Sequence, residues 1–197
     1  MTMNTYTGYK VTTESAKLAV PLEDARLQLR LDDLAHDDAY VEALIYAQVS
    51  YIENQYTCAL LSKTIEEYHS DFPDIGSTPL WLRVAPFQSI TSIKYINDVG
   101  TETTWSSAEY EAKIYKSGAF IVAKVGYNYP TDLATRPDAV KITYEAGYGA
   151  TPASIPSFVR LGVLARVGRA YTQREDPLSS GTSYSDVLLH PLYRFSI

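Results

Sequence analysis

The pattern of hydrophobic and polar positions divides the chain into helical segments near both ends and a strand-rich segment between them. From Leu22 to Leu29, apolar residues share one face at helical spacing, and Pro21, Glu23 and Asp24 favour a first turn at the start of this segment. From Asp37 to Tyr56, a longer apolar stripe runs without Gly or Pro. A third stripe runs from Pro156 to Arg174. These stripes predict one short and two long helices.

The third helix contains two glycines, Gly162 and Gly168. Each lowers helix propensity by roughly 1 kcal/mol. Their presence inside a helix indicates close packing against another element at both positions.

Between residues 61 and 150, β-branched and aromatic residues alternate with polar ones, and turn signals separate the runs. The runs are Lys63–Tyr68, Leu80–Val84, Ile90–Ile96, Tyr110–Tyr115, Ala119–Val122 and Val140–Glu145. This pattern predicts an antiparallel sheet or small sandwich of six or seven strands.

Together these elements predict an α+β fold with four segments. Residues 1–60 form an N-terminal arm and two helices, and residues 61–150 form an antiparallel β domain inserted between helices. Residues 151–176 form the C-terminal helix, and residues 177–197 form a flexible Ser/Gly-rich linker and an extended arm. The end of this arm is apolar and aromatic, so it either folds back on the core or docks on a neighbour.

Composition agrees with a folded interaction module. The chain has 197 residues, of which 46% are hydrophobic and 20% charged, enough for a sizeable core. No apolar run approaches the roughly 18–20 residues that span a bilayer, and the N-terminus lacks a signal-peptide pattern, so we expect no membrane partner. Seventeen tyrosines indicate large protein–protein contact surfaces.

Charge is unevenly distributed along the chain. Residues 1–60 carry four basic and nine acidic side chains, whereas residues 151–197 carry five arginines and three acidic side chains. The acidic body argues against wrapping nucleic acid. The densest acidic cluster is Asp32, Asp33, Asp37, Asp38 and Glu42. It lacks the spacing of a calcium loop, which leaves a solvated helix start or a repulsive surface as its interpretations.

No combination of residues predicts an enzyme, a metal site or a cofactor site. The three histidines, His36, His69 and His190, share no metal-ligand spacing, and we expect solvent-facing or capping roles for them. The single cysteine, Cys58, is expected to be a small apolar residue near a helix end. Nucleophile elbows, phosphate loops and zinc motifs are missing from the sequence. The residues alone therefore indicate an interaction module.

Three stretches in order, residues 21–56, 79–100 and 139–176, resemble the bacteriophage head–tail connector (adaptor) family. The resemblance is to the type with a β domain inserted between connector helices. The third stretch is the most specific: an Ala-Gly-Tyr turn precedes Ile-Pro, which opens a helix that closes with Tyr171, Arg174 and Glu175.

The resemblance implies a helical connector core and a structural, non-enzymatic virion protein without a cofactor. Such proteins form a homo-oligomeric ring, usually of twelve copies, under the portal protein in the virion neck. The ring extends the DNA channel and provides the attachment platform for a tail terminator, tail tube or other neck protein. Genomic DNA passes through the lumen without sequence-specific binding, and the ring assembles in the host cytoplasm.

Two hypotheses about residues follow from this resemblance. The acidic cluster is expected to contribute to a channel wall that repels DNA. The tail residues Leu188, Leu189, Leu192, Tyr193, Arg194 and Phe195 are expected to fill a groove on the portal or the adjacent subunit. The alternatives are another phage neck or tail-completion protein, and a monomeric β-sandwich domain that binds a glycan or peptide.

Overall fold

The computed structural model describes residues 6–31, 37–73, 79–115, 118–173 and 183–192. Helices and antiparallel sheets are both present, so the predicted α+β class is confirmed. The helices are α1 (Leu22–Leu29), α2 (Asp38–Tyr56), α3 (Ser157–Thr172) and α4 (Tyr184–Leu189). The strands are β1 (Tyr6–Thr13), β2 (Lys63–His69), β3 (Leu80–Leu82), β4 (Phe87–Ile96), β5 (Glu102–Trp105), β6 (Tyr110–Tyr115), β7 (Gly118–Ala123) and β8 (Val140–Ala146).

The chain forms two compact units, each assembled from two separate stretches of sequence. The β unit comprises Met1–Glu14 and Ser62–Gly147. The helical unit comprises Ser15–Leu61 and Tyr148–Ile197. The N-terminal residues thus contribute to the β unit, although the sequence pattern grouped them with the helices.

The β unit contains a five-stranded antiparallel sheet in the order β1-β2-β8-β4-β5 and a three-stranded antiparallel sheet in the order β3-β7-β6. The central strands alternate between buried and less buried residues, as the period of two requires. In the paired register, Ile65 of β2 lies opposite Tyr144 of β8, and Ile142 of β8 lies opposite Ile93 of β4. All four side chains are buried in the core.

Two edge strands, β1 and β5, were missed by the sequence pattern. Most side chains of β1 are exposed, and the strand is held by its antiparallel pairing with β2. β5 has four residues and pairs with β4. A strand that is held mainly by main-chain hydrogen bonds needs no alternation of apolar and polar side chains. In the sequence, a polar edge strand therefore looks the same as an unpaired arm.

The helical unit has an apolar core to which each long helix contributes one face. Its buried side chains include Val41, Ile45 and Ile52 of α2, and Val163 and Val167 of α3. The predicted bounds of α1 are confirmed, and α2 begins one residue later than predicted, with Asp37 in the N-cap position. Cys58 is buried in this core just after α2, as predicted.

The C-terminal segment differs from the predicted linker and extended arm. Residues 183–189 form a capped helix, α4, followed by a short 3₁₀ turn at His190–Leu192. Leu189 and Leu192 are buried in the helical core, whereas Leu188 is half-buried. At Leu189 and Leu192 the tail therefore folds back onto the helical core. Tyr193, Arg194 and Phe195, together with residues 177–182 of the predicted linker, lie outside the described residues.

Candidate interaction surfaces

Arg166 is the polar centre of the helical unit and joins three helices. Its Nε donates to Oε1 of Gln48 on α2 at 3.0 Å, and its guanidinium lies 4.2 Å from the ring centroid of Tyr51. Its Nη1 lies 3.3 Å from Oδ1 of Asp186 on α4. One arginine thus fixes α4 against α3 and α2 through charge-assisted and cation–π contacts.

Asp186 also caps α4. Its Oδ2 accepts hydrogen bonds from the backbone N–H of Ser183 at 2.9 Å and from the Ser183 hydroxyl at 2.8 Å, which forms a capping box with the return bond from its own N–H. The Ser183 N–H, the Ser183 hydroxyl and the charge of Arg166 hold the pKa of the Asp186 carboxyl below its ordinary value. A Ser-rich stretch that suggested a linker therefore contains the start signal of a helix.

Gly162 allows α4 to approach α3 closely. A Cβ atom at Gly162 would lie 2.7 Å from Cδ2 and 2.8 Å from Cγ of Leu189. The predicted close packing is confirmed at this glycine. It is wrong at Gly168, where a Cβ atom would meet nothing within 4 Å.

Tyr171 is the first of the three motif residues at the end of the third predicted helix, and it lies beside the acidic cluster. Its hydroxyl donates to Oδ2 of Asp37, and its ring centroid lies 6.0 Å from that of Tyr40 on α2. The structure therefore brings together two residues that the sequence singled out for different reasons. Arg174 and Glu175 of the same motif lie outside the described residues.

The acidic cluster is only partly available for contacts with other molecules. Asp37 accepts the Tyr171 hydrogen bond, and Oδ1 of Asp38 lies 3.5 Å from Nε of Arg26. Glu42 is half-buried and forms no hydrogen bond or ion pair with the residues that the structure describes. Asp32 and Asp33 lie outside those residues. Two of the five acidic side chains thus stabilise the helical unit itself.

A groove of about 530 Å³ lies between the end of α1, the second half of α3 and the start of α4. Apolar and aromatic atoms provide most of its described surface, including those of Leu29 and Tyr171. The charged residues of that surface are Arg30 and Arg169. The helical unit is therefore concave and basic at this point.

The β unit contains a buried polar network centred on Glu67. Its carboxylate accepts a hydrogen bond from the Tyr144 hydroxyl at 2.8 Å and one from the backbone N–H of Arg83 at 3.0 Å. Its other oxygen lies 3.1 Å from Nε2 of His69. The Tyr144 hydroxyl in turn accepts the backbone N–H of Val84 at 3.1 Å. Glu67 and Tyr144 are completely buried, so this network is internal.

Two consequences follow from this network. Burial and the neighbouring Glu67 carboxylate raise the pKa of the Tyr144 hydroxyl well above its ordinary value. His69 is 2% exposed, so its expected solvent-facing or capping role is wrong. Strand alternation could have revealed this, since His69 shares the inward face of β2 with Ile65 and Glu67.

The tyrosines serve both as core residues and as surface residues. In the β unit, Phe72, Trp105 and Tyr129 form a packed aromatic group with ring centroids 5.2–5.5 Å apart, to which Trp105 adds a hydrogen bond from Nε1 to Glu109 at 2.9 Å. Other tyrosines are exposed on both units. They are Tyr9, Tyr40, Tyr46, Tyr51, Tyr115, Tyr127 and Tyr184. The expected aromatic contact surface would therefore consist of these exposed tyrosines.

Within the described ranges, no three His, Cys, Asp or Glu side chains lie close enough together to hold a metal ion. Among the helices of the described segments, none combines the length and the apolar character that crossing a membrane requires.

Solved structures with the same fold come from a phage-like particle. A chain in the neck of an empty gene transfer agent (GTA) particle, computed with C6 symmetry, superposes with a TM-score of 0.80 at 21% identity. A chain in the virion of a native GTA particle gives 0.81 at 20% identity. A chain in the neck of a native GTA particle, computed with C12 symmetry, gives 0.77 at 18% identity.

Each of these matches covers 97% of this chain and 97% of the matched chain. The similarity therefore includes the β unit, the helical unit and the C-terminal helix, and it shows a shared fold. No protein-family model matches the sequence, and no curated protein matches it.

Proposed function

We propose that this protein is a structural subunit of the neck of a phage-like particle, where it forms a head–tail connector ring under the portal. The observation that carries the proposal is the fold, which matches chains of GTA necks and virions from end to end. The symmetries with which those necks were computed, C6 and C12, support a ring in which the copies are related by rotation.

The sequence supports the same role independently. The three ordered stretches that resemble the connector family lie in both the helical unit and the β unit, and the third contains Tyr171 near its end. The proposed partners are further copies of the chain, the portal protein, and a tail terminator, tail tube or other neck protein. The role is structural, so the protein uses no cofactor and performs no catalysis, and its place is the virion neck after assembly in the host cytoplasm.

The acidic surface is proposed to face the DNA channel. The role is proposed for all five residues of the cluster, since Asp37 keeps its negative charge when it accepts the Tyr171 hydrogen bond. Asp32, Asp33 and Glu42 are chosen for the test because Asp37 and Asp38 also contact Tyr171 and Arg26 within the helical unit. Like charge lets DNA slide because no counterions are released on contact. Replacing these three by their amides should slow DNA exit from filled particles. Ejection at the wild-type rate would reject the channel role.

The docking role of the tail is proposed for a smaller set of residues than the sequence indicated. Leu189 and Leu192 are core residues, so they are unavailable to a partner. Leu188, Tyr193, Arg194 and Phe195 remain as the proposed contact to the portal or the adjacent subunit. Removal of residues 193–197 should leave a folded protein that joins heads poorly. Normal joining by this shortened chain would reject the docking role.

The ring is tested by the native mass of the purified chain over a concentration series. A closed species near twelve times 22.0 kDa is the expected result. A chain that stays at 22.0 kDa at every concentration, and that also fails to bind DNA-filled tailless heads, would overturn the proposal and favour a monomeric binding domain.

A further inference from the structure

Arg160 forms no ion pair or hydrogen bond with the residues that the structure describes. It lies in the first turn of α3, it is half-buried, and its Nε is shut off from solvent without a hydrogen bond to any described residue. Two physical effects oppose this arrangement: desolvation of a charged group, and the positive end of the helix dipole. A carboxylate from outside the chain would relieve both.

The surface beside Arg160 suits a protein contact. The next residue, Leu161, leaves 49% of its surface exposed. A half-buried arginine next to an exposed apolar side chain is a combination that interfaces favour, because arginine pairs with carboxylates through a planar fork while its stem packs on apolar atoms.

The helical unit also contains acidic side chains that lack a partner. Glu23 and Asp24 occupy the first turn of α1, where Glu23 is exposed and Asp24 is half-exposed. Neither forms an ion pair or a hydrogen bond within the described residues. By contrast, Asp38 pairs with Arg26 and Asp186 pairs with Arg166. Among the described residues of this unit, Arg160 on α3 and the pair Glu23 and Asp24 on α1 therefore form no ion pair.

We propose that Arg160 of one copy binds Glu23 and Asp24 of the next copy. This inference rests on the proposed ring, because a closed ring joins two different surfaces of the same chain at every interface. Two adjacent acidic side chains on α1 complement the Arg160 guanidinium better than the single Glu42 of α2, and they make a second copy of the chain the occupant. The contact fixes the orientation of neighbouring copies in the ring and makes assembly depend on salt concentration.

A mixing experiment tests this contact with the full chain. One variant carries Arg160→Glu, and the other carries Glu23→Arg and Asp24→Arg. Each variant alone places like charges at every interface, so each should need at least about a tenfold higher concentration to assemble. In a 1:1 mixture, every interface between alternating variants again joins opposite charges. The mixture should therefore assemble where neither variant does.

The readouts are native mass in solution and the number of copies bound to DNA-filled tailless heads. Arg136→Glu is the matched control, since it makes the same charge change on an exposed arginine of the β unit that pairs locally with Asp138. This control should assemble as the wild type does. Far-ultraviolet circular dichroism establishes that each variant is folded. Glutamate is favoured over arginine in the first turn of α3, so the Arg160 variant should retain its helix.

Should the α1 variant fail to fold, Arg160→Gln, Glu23→Gln with Asp24→Gln, and their combination provide a second route. If the groups bind each other, the combined variant should lose no more assembly than either part alone. Additive losses, or assembly of the charge-reversed variants at wild-type concentration, would overturn the inference while leaving the ring intact. A mixture that fails to recover would point to a different acidic neck protein and would equally overturn it. Failure of the wild type to assemble in solution and on heads would instead overturn the proposed function.

Discussion

The β unit and the helical unit differ in how far their partly or fully buried charged groups are paired within the chain. In the β unit, the buried Glu67 carboxylate has Tyr144, His69 and the N–H of Arg83 around it. In the helical unit, Arg160 and the acidic pair of α1 have no partners in the described chain, and a groove with two arginines stays open. The Glu67 network of the β unit is thus satisfied within the chain, whereas Arg160, Glu23 and Asp24 of the helical unit are available to other molecules.

The two units can be followed separately in one experiment. Both tryptophans, Trp81 and Trp105, belong to the β unit, so their fluorescence reports its unfolding. The helical signal in circular dichroism reports the helical unit. Denaturant curves recorded by both probes therefore distinguish changes in one unit from changes in the other.

The largest expected effect is that of Glu67→Ala in the β unit. Removal of this carboxylate leaves a buried hydroxyl, a buried N–H and a histidine without their common partner, which should lower the free energy of unfolding by about 3–5 kcal/mol. The fluorescence transition should move to lower denaturant. Glu66→Ala is the control: Glu66 lies on the opposite face of β2 and pairs with Lys10 near the surface, so its loss should cost less than about 1 kcal/mol. Equal effects would contradict the closed network.

Leu189→Ala should produce the next largest effect, in the helical unit. The side chain is fully buried against α3, and deletion of its methyl groups should cost about 2–5 kcal/mol in the transition seen by circular dichroism. Val187→Ala two residues earlier is the control, because Val187 is 61% exposed. A Leu189 variant with wild-type stability would mean that α4 contributes little to the helical core. The tail would then again be available as an arm.

The two glycines of α3 should respond with opposite signs. Gly162→Ala forces Leu189 to shift and should cost about 1–3 kcal/mol. Gly168→Ala meets no atom within 4 Å and gains helix propensity, so it should stabilise the unit by about 1 kcal/mol. Both are measured by the same helical transition. Stabilisation by both substitutions would show that helix propensity, and not the contact with α4, decides the outcome.

The smallest effect concerns pH and Asp186. Its folded-state pKa is lowered, so its contribution to stability is present above the ordinary aspartate pKa of 3.8 and is lost as the pH falls through the lowered value. The side chain is 40% exposed, so solvent screening should keep this contribution below about 1 kcal/mol. Asp186→Asn should therefore destabilise the helical unit at pH 7, and the difference from the wild type should shrink as the pH falls below 3.8. A stability difference between variant and wild type that stays constant over this pH range would show that the carboxylate charge does not cause the effect.

The sequence predicted those elements whose side chains have one buried face. The stripes of α1 and α2 and the alternating runs of β2 and β8 follow directly from burial on one side. β1 escaped prediction because its stability comes from main-chain pairing with β2. α4 escaped because a six-residue helix is too short for a periodic signal, although Ser183 and Asp186 have the spacing of a capping box.

The candidate surfaces were less predictable than the fold, for a physical reason. Sequence spacing shows that acidic residues cluster, but it does not show that Tyr171, 134 positions after Asp37, binds that carboxylate. It likewise does not show that, among the described residues, Arg166 has partners and Arg160 has none. Whether a charge is available to another molecule depends on long-range packing, which one sequence does not display.

The central claim is that this chain forms a ring at the neck of a phage-like particle. It is tested most directly by electron microscopy of DNA-filled tailless heads incubated with the purified chain, in which bound copies are located and counted. We expect a single closed ring of twelve copies at the portal vertex. Binding scattered over the head surface, or no binding at all, would contradict it.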